Sequence, residues 1–341
     1  MKKFFGTLPD GKEASLYTIR GGDLTAVISD HGATVVKLFV PDKDGNPADV
    51  VLGFDDPNEY TKSGTYFGAI VGRNANRVGG ANFVLNNRTY SLDPNDNGVN
   101  NLHSGFDPYK NRLWKVERHD EDSIRLSLQS PDGDQGFPGN ANIHVTYTLD
   151  PDNALRITYD AICDKDTVFN MTNHTYFNLA GHDHPEKAMS QTLSMPARFF
   201  TVCDAASIPT GENRSVEGTP FDFREPKPIG RDISEDYDAL NLQGGYDHNF
   251  EVFTAPGAIL CDPESGRTMA VITDCPGVQF YSGNFLEGEI GKDGVSYCHR
   301  GGICLETQFY PDSINHPEWP QPFKKAGERY HSETKYRFNA L

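Results

Sequence analysis

The stretch ANIHVTYTLDPDNALRITYDA, residues 141–161, decides the fold. Ile143, Val145, Tyr147 and Leu149 alternate with polar residues, and Leu155, Ile157, Tyr159 and Ala161 do so again. A period of two puts each apolar set on one face of a pleated strand, as in a sheet with one buried and one wetter side. Asp150-Pro151-Asp152-Asn153 supplies turn chemistry between the two runs, which predicts an antiparallel hairpin. Upstream, Ile124, Leu126 and Leu128 extend the alternation into another strand. Turn residues recur at 41–46, 93–98 and 262–266, and the only helical pattern is a short turn around Asp56–Thr61. The predicted fold class is therefore all-β, a large antiparallel β-sandwich with only short helical turns, spanning residues 1–341 as a single domain. No fixed-period repeat or low-complexity linker interrupts it. Two connections, 93–112 and 196–245, read as long loops, and structureless loops of that length in a compact domain usually serve function.

Charge narrows the partners. A formal net charge of -17 and a pI near 5.0 exclude a nucleic-acid surface, which needs clustered cations, and disfavour anionic membranes. Met1-Lys2-Lys3-Phe4-Phe5 begins like an export signal, but the polar residues from Gly6 to Ser15 break it, and no run is long enough to span a bilayer. The six cysteines form no CxxC pair, which reads as free thiols in a reducing compartment. Of the N-x-S/T sequons, those at Asn170 and Asn173 fall in the segment with the richest chemistry, where a glycan would obstruct a site. The expected location is cytoplasmic.

That segment is FNMTNHTYFNL, residues 169–179, and its counterpart is ICLETQFY, residues 303–310. Read as strands, the first puts Asn170, Thr172, His174, Tyr176 and Asn178 on one face and Phe169, Met171, Thr175 and Phe177 on the other. The second groups Cys304, Glu306, Gln308 and Tyr310 opposite Ile303, Leu305 and Phe309. An imidazole and a carboxylate converging on one small molecule can give and take a proton in a single turnover. Four further stretches hold groups suited to a polyhydroxylated ligand: GRNANRVGG (72–80), NNLHSG (100–105), GGYDHNF (244–250) and PGVQFYSGNF (276–285). Asn76, Arg77, His103, Asp247 and Gln279 offer donors and acceptors, and Phe280 or Tyr281 offers a ring face.

Each residue also has a bland reading. A single histidine is usually a satisfied or exposed one, Asp247 suits an Asx turn after two glycines, Arg73 and Arg77 suit a charged surface, and Gln279 suits an ordinary strand. Glu306 resists this, because a carboxylate between Leu305 and Phe309 on an apolar strand is costly to bury. On residues alone four other functions stay open. His103, His174 and Glu306 could bind a metal, although the close spacing typical of such sites is missing. Glu306 with Asp247 could hydrolyse glycosides. The polar lining could hold sugar without catalysis, or Arg73 and Arg77 could meet a sugar phosphate.

Taken in order, the motifs NRV, NLHSG, NHTYFNL, IPTGE with GTPFDF, YDHNF, PGVQFYSGNF and CLETQ resemble the galactose mutarotase, or aldose 1-epimerase, family. The resemblance runs from HGAT at 31–34 to the terminal GERYHSETKYRF. It implies a galactose mutarotase-like β-supersandwich that interconverts the α and β anomers of free aldohexoses such as galactose and glucose. No cofactor or metal is implied, and the partner is a small-molecule aldose, with the chain acting as a monomer or weak homodimer. By the same resemblance His174 is the general acid, Glu306 the general base and His103 a second contact to the ring oxygen. Asn76, Arg77, Asp247 and Gln279 hold hydroxyls, Tyr176 and Phe177 border the acid, and Cys304 flanks the base without evident chemical consequence. If His174 and Glu306 lie close together, each is expected to favour the other's charged form, giving a bell-shaped pH profile around neutrality.

Overall fold

The 141–161 hairpin forms as its pattern requires. In the computed structural model, which describes residues Met1–Leu341, strands Ala141–Asp150 and Ala154–Cys163 pair antiparallel, with Val145 opposite Tyr159 and Leu149 opposite Leu155. Asn153 closes the turn at a φ of 58°, and its side-chain oxygen accepts the Asp23 backbone N–H at 2.7 Å. This hairpin sits inside a nine-stranded sheet whose order is Lys115–His119, Ser123–Ser130, the hairpin, Tyr330–Ala340, Arg267–Thr273, Ala258–Cys261, Thr192–Ser194 and Lys227–Pro228. The last long strand of the chain is thus inserted beside the hairpin, joining the middle of the sequence to its end. A six-stranded sheet runs Tyr176–Phe177, Ile303–Gln308, Gly277–Tyr281, Asp247–Glu251, Phe199–Cys203 and Pro209–Ser215. Residues 2–49 add a five-stranded meander, and all the sheets are antiparallel.

The nine- and six-stranded sheets face each other across the main apolar core. The Phe177 and Tyr336 rings meet at 4.9 Å, and the Tyr336 hydroxyl donates to the Leu305 carbonyl at 2.9 Å, so a strand of each sheet is tied to the other. The short helix Pro57–Lys62 occupies the predicted helical turn, capped by Asp56, whose carboxylate accepts the Asn58 N–H at 2.8 Å. The turns at 41–46 and 262–266 close hairpins, whereas 93–98 leads instead into Asn101–Leu102, which pairs with Arg77–Val78.

Two expectations need correction. Residues 196–245 are not a structureless loop but contain strands Phe199–Cys203, Pro209–Ser215 and Lys227–Pro228 and the helix Asp238–Gln243. Four consecutive residues from Phe200 are buried, so this strand has no wet face and shows no alternation to read. Residues 169–179 are likewise not one strand. Thr172–Asn173 pairs with Ile70–Val71, Tyr176–Phe177 pairs with Cys304 and Ile303, and between them the His174 backbone N–H donates to the Ala69 carbonyl at 3.0 Å. The chain changes partner at His174, which lets that side chain leave the regular ladder.

Several histidines are buried in this architecture, and burial pushes His31 down to about 4. Because the unfolded imidazole titrates near 6.5, the unfolded chain binds one more proton than the folded one between about pH 6.5 and 4. His31 therefore contributes stability that is lost as pH falls through that window. In His31→Gln the slope of unfolding free energy against pH should drop by about 1.4 kcal/mol per pH unit near pH 5. Urea denaturation between pH 4.5 and 6.5 measures this, and parallel curves for the two proteins would contradict it.

Candidate active site

The middle of the six-stranded sheet supports one end of a cavity of about 280 Å³, lined by side chains that include Tyr66, Asn76, Arg77, His103, His174, Tyr176, Asp247, Tyr281 and Glu306. Its size suits a small molecule better than a polymer. Glu306 lies opposite Gln279 and Cys304 opposite Tyr281 in the ladder, so alternation sends Cys304 and Glu306 to the same face. His174 bridges them. Its Nε2 stands 3.6 Å from Glu306 Oε1, and its Nδ1 stands 3.4 Å from Cys304 Sγ. Tyr176 stacks on the imidazole at 5.0 Å. The second carboxylate oxygen of Glu306 is buried and has no protein partner.

A second wall comes from two loops laced together. Arg77–Val78 pairs with Asn101–Leu102, the Asn74 N–H donates to Ser104 Oγ at 2.9 Å, and the Asn76 N–H donates to His103 Nδ1 at 3.2 Å. That last bond fixes the tautomer: His103 Nδ1 is the acceptor, so Nε2 carries the proton. Both Asn76 (φ 64°) and His103 (φ 51°) adopt the left-handed region, which costs a histidine about 1–2 kcal/mol and is sustained by this lacing. Asn76 Oδ1 accepts the Arg77 N–H at 2.8 Å, which leaves its amide NH₂ for a ligand.

Asp247 enters from the neighbouring strand, and Gln279 Nε2 donates to its Oδ1 at 2.8 Å. Arg77 is held by Asp96, its Nε donating at 2.9 Å. Gln279 is buried on the neighbouring strand and gives an amide N–H to Asp247, while its own Oε1 has no protein partner. One residue expected to border the acid stands elsewhere. Phe177 turns away from His174 into the core against Tyr336, as the alternation of its own segment requires. Tyr281, not Phe280, presents a ring to the cavity, because Phe280 packs in the core against Tyr246 and Phe223. Arg73 is wholly buried and donates only to protein acceptors, so the basis for a phosphate contact there disappears.

The sequence reading missed Tyr66. Its ring stacks on His174 at 5.8 Å and meets His103 at 4.7 Å, covering both histidines. Lys110 holds the loop that carries it, with Nζ donating to the carbonyls of Tyr60, Ser63 and Thr65 and lying 4.9 Å from the Tyr66 ring. No periodicity marks an aromatic residue in such a loop, so only its proximity in space reveals it.

Burial dominates the electrostatics. Desolvation pushes the His174 imidazole down to about 4, with the Lys110 ammonium adding to the effect. It raises Glu306 well above the usual carboxylate range, helped by the Asp247 charge and opposed by Arg77. Asp247 is raised by the same desolvation, which Arg77 and Gln279 oppose, while His103 is driven well down and stays neutral. The expected mutual reinforcement of charge is thus the smaller effect. Imidazole with carboxylic acid and imidazolium with carboxylate hold the same single proton, so the pair as a unit is what titrates. His103, His174 and Glu306 also offer ligand atoms within 4.8 Å of one another, three donors that a divalent ion would recognise.

A polar cavity walled by aromatic rings, with a coupled acid and base in a large antiparallel sandwich, suits proton-transfer chemistry on a small polyhydroxylated molecule, and residues 15–337 match the aldose 1-epimerase family, a class of carbohydrate isomerases. The chain belongs to that family, whose activity is isomerisation of a carbohydrate. It is 39% identical to galactose mutarotase from Bos taurus, over 98% of this chain and 97% of that one. It is 38% identical to aldose 1-epimerase from Escherichia coli K12, over 97% of both chains. Among solved structures, an aldose epimerase homologue from C. elegans superposes with a TM-score of 0.88 at 32% identity, covering 96% of this chain and 99% of its own. No helix here is long and apolar enough to cross a membrane.

Proposed function

We propose that this cavity opens and recloses the pyranose ring of free aldohexoses, galactose and glucose among them, with Glu306 as base and His174 as acid. The observation that carries this reading is the 3.6 Å contact between His174 Nε2 and Glu306 Oε1 at the wall of a cavity sized for a small molecule. Ring opening needs the C1 hydroxyl to lose a proton while the ring oxygen gains one, and two groups this close can straddle that C1–oxygen unit. With the cyclic sugar bound, the pair is imidazolium and carboxylate. After opening, it is imidazole and carboxylic acid, the distribution that burial favours. Rotation about C1–C2 and reclosure with the transfers reversed give the other anomer and the starting enzyme. His103, fixed as an Nε2–H donor, supports the ring oxygen, while Asn76, Arg77 and Asp247 hold hydroxyls and Gln279 holds Asp247. Tyr176, Tyr281 and Tyr66 provide the ring faces that a sugar packs against.

This reading takes the chain as one domain acting as a monomer or weak homodimer, since one chain already supplies the acid, the base and a sugar-sized cavity. A cytoplasmic setting accords with six free thiols and with Asn170 and Asn173, packed at 1% and 2% exposure where an attached glycan would not fit. Polarimetry of freshly dissolved α-galactose and α-glucose tests the reaction, using protein dialysed against a chelator. Acceleration that survives dialysis supports proton transfer; loss restored by zinc or iron would establish the metal-dependent reading, and release of phenol from aryl glycosides would establish hydrolysis. In the same assay Asp247→Asn should raise KM by about tenfold, the range of a lost charge-assisted hydrogen bond, with kcat within about threefold. An unchanged KM would remove Asp247 from the binding set.

A further inference from the structure

We propose that Cys304 is a positioning residue for the proton donor: its sulfur accepts the Nδ1–H of His174 and holds the imidazole in the tautomer whose Nε2 alone exchanges a proton with the sugar. The inference rests on the acid role given to His174 above. Three observations support it. Cys304 Sγ lies 3.4 Å from His174 Nδ1, the only side-chain contact that nitrogen makes within hydrogen-bonding reach. Cys304 and Glu306 stand two residues apart on one face of the same strand, so the ring is gripped at both nitrogens by a single rigid element. The thiol is fully buried, and burial keeps it neutral, so it presents sulfur rather than a thiolate charge.

The chemistry requires such a hold. In ring opening the C1–oxygen bond breaks with its electron pair passing to the ring oxygen. That oxygen takes the proton from His174 Nε2, and Glu306 takes the proton of the C1 hydroxyl as the carbonyl forms. The imidazole left behind must keep its remaining proton on Nδ1, or Nε2 has no lone pair with which to recover the proton on reclosure. A carboxylate beside Nδ1 would enforce that tautomer too, but it would also stabilise the imidazolium and weaken it as an acid. Sulfur is a weak acceptor, so it sets the tautomer while leaving the imidazolium acidic. Glu306, held protonated by burial, completes the arrangement by facing the unprotonated Nε2.

The test reads the tautomer directly, in protein without sugar, by ¹⁵N chemical shifts of histidine-labelled wild type, Cys304→Ser and Cys304→Ala at pH 7. Wild type and the serine variant should show a protonated Nδ1 and a bare Nε2 at His174, and the alanine variant should shift toward the other tautomer. In polarimetry Cys304→Ala should lose about tenfold in kcat with KM within about twofold, while Cys304→Ser recovers most of that loss and displaces the acidic limb of the pH profile. A wild-type His174 protonated at Nε2, or an alanine variant with unchanged shifts and kcat, would overturn the proposal. Absence of anomer exchange in the wild type, with the Nδ1 tautomer intact and sensitive to Cys304, would instead count against the epimerase reading alone.

Discussion

Glu306→Gln should fold normally and lose about 10³-fold in kcat, and His174→Asn should fall by a similar factor. Each replacement is nearly isosteric and uncharged, and each removes one of the two groups that move a proton in the rate-limiting event. A positioned proton transfer contributes about 10²–10⁴-fold, so the middle of that range is the expectation for either loss. The two effects should not add. Once one partner is gone, the remaining group has no concerted counterpart, and the double variant should resemble the worse single one. Stability should hold or rise in Glu306→Gln, because a buried carboxyl whose second oxygen lacks a protein partner is replaced by a group that never ionises. Polarimetry, corrected for spontaneous mutarotation in buffer, gives the rates, and urea denaturation gives the stabilities. A rate within tenfold of wild type for either variant would refute the acid–base assignment.

The pH profile follows from the same pair. Activity needs one proton on the pair, so it falls on the acid side when a second proton is taken up and on the alkaline side when the first is lost. Because burial drives His174 down to about 4 and Glu306 up, these two events move apart, and the bell expected from the sequence broadens into a plateau across neutrality. What the sequence misjudged was sign, since attraction between opposite charges would have favoured the ionised forms. Burial could not be read from residues 169–179 and 303–310 because it depends on loops from elsewhere in the chain, including the one that brings Tyr66 over both histidines.

The same division between local pattern and distant packing explains what else was legible. The 141–161 hairpin was readable because one of its faces is wetter than the other, so alternation survives. Gly277–Tyr281 is buried at every position and Phe199–Cys203 at nearly every one, which erases the period that identifies a strand. Glu306 stands out as a carboxylate on an apolar strand and His174 as the one titratable group on a polar strand face, and both are local properties. Gln279 suits hydroxyls by residue type, but its bond to Asp247 on the adjacent strand is a property of the sheet register that its own segment does not carry. Phe177 shows the reverse case: alternation alone put it on the face opposite His174, and the structure follows that alternation rather than the expectation that it borders the acid.

Arg73 carries the second large prediction, because a residue readable as a surface charge or phosphate contact is an internal tie. Its Nε donates to Ser130 Oγ at 2.9 Å, Nη1 to the Pro138 carbonyl at 2.8 Å, and Nη2 to the Ser130 and Gly139 carbonyls at 2.9 and 2.8 Å. These acceptors lie at the end of strand Ser123–Ser130 and in the turn that follows it, so one guanidinium satisfies several buried carbonyls that have no water to turn to. Arg73→Met keeps much of the volume but leaves those carbonyls unpaired, and unfolding free energy should fall by about 3–5 kcal/mol. Arg73→Lys should recover little, since one ammonium cannot span acceptors arranged around a planar fork. Arg77→Met, which leaves the largely buried Asp96 carboxylate without its partner, should cost less than Arg73→Met, about 1–3 kcal/mol in stability, and raise KM. Because Arg73 also opens the loop that leads to Asn76, its loss should loosen that wall and raise KM together with the drop in stability. Urea unfolding of the three variants separates the cases: a cost below about 1 kcal/mol for Arg73→Met would show that these carbonyls find other donors and that the buried guanidinium is dispensable to the fold.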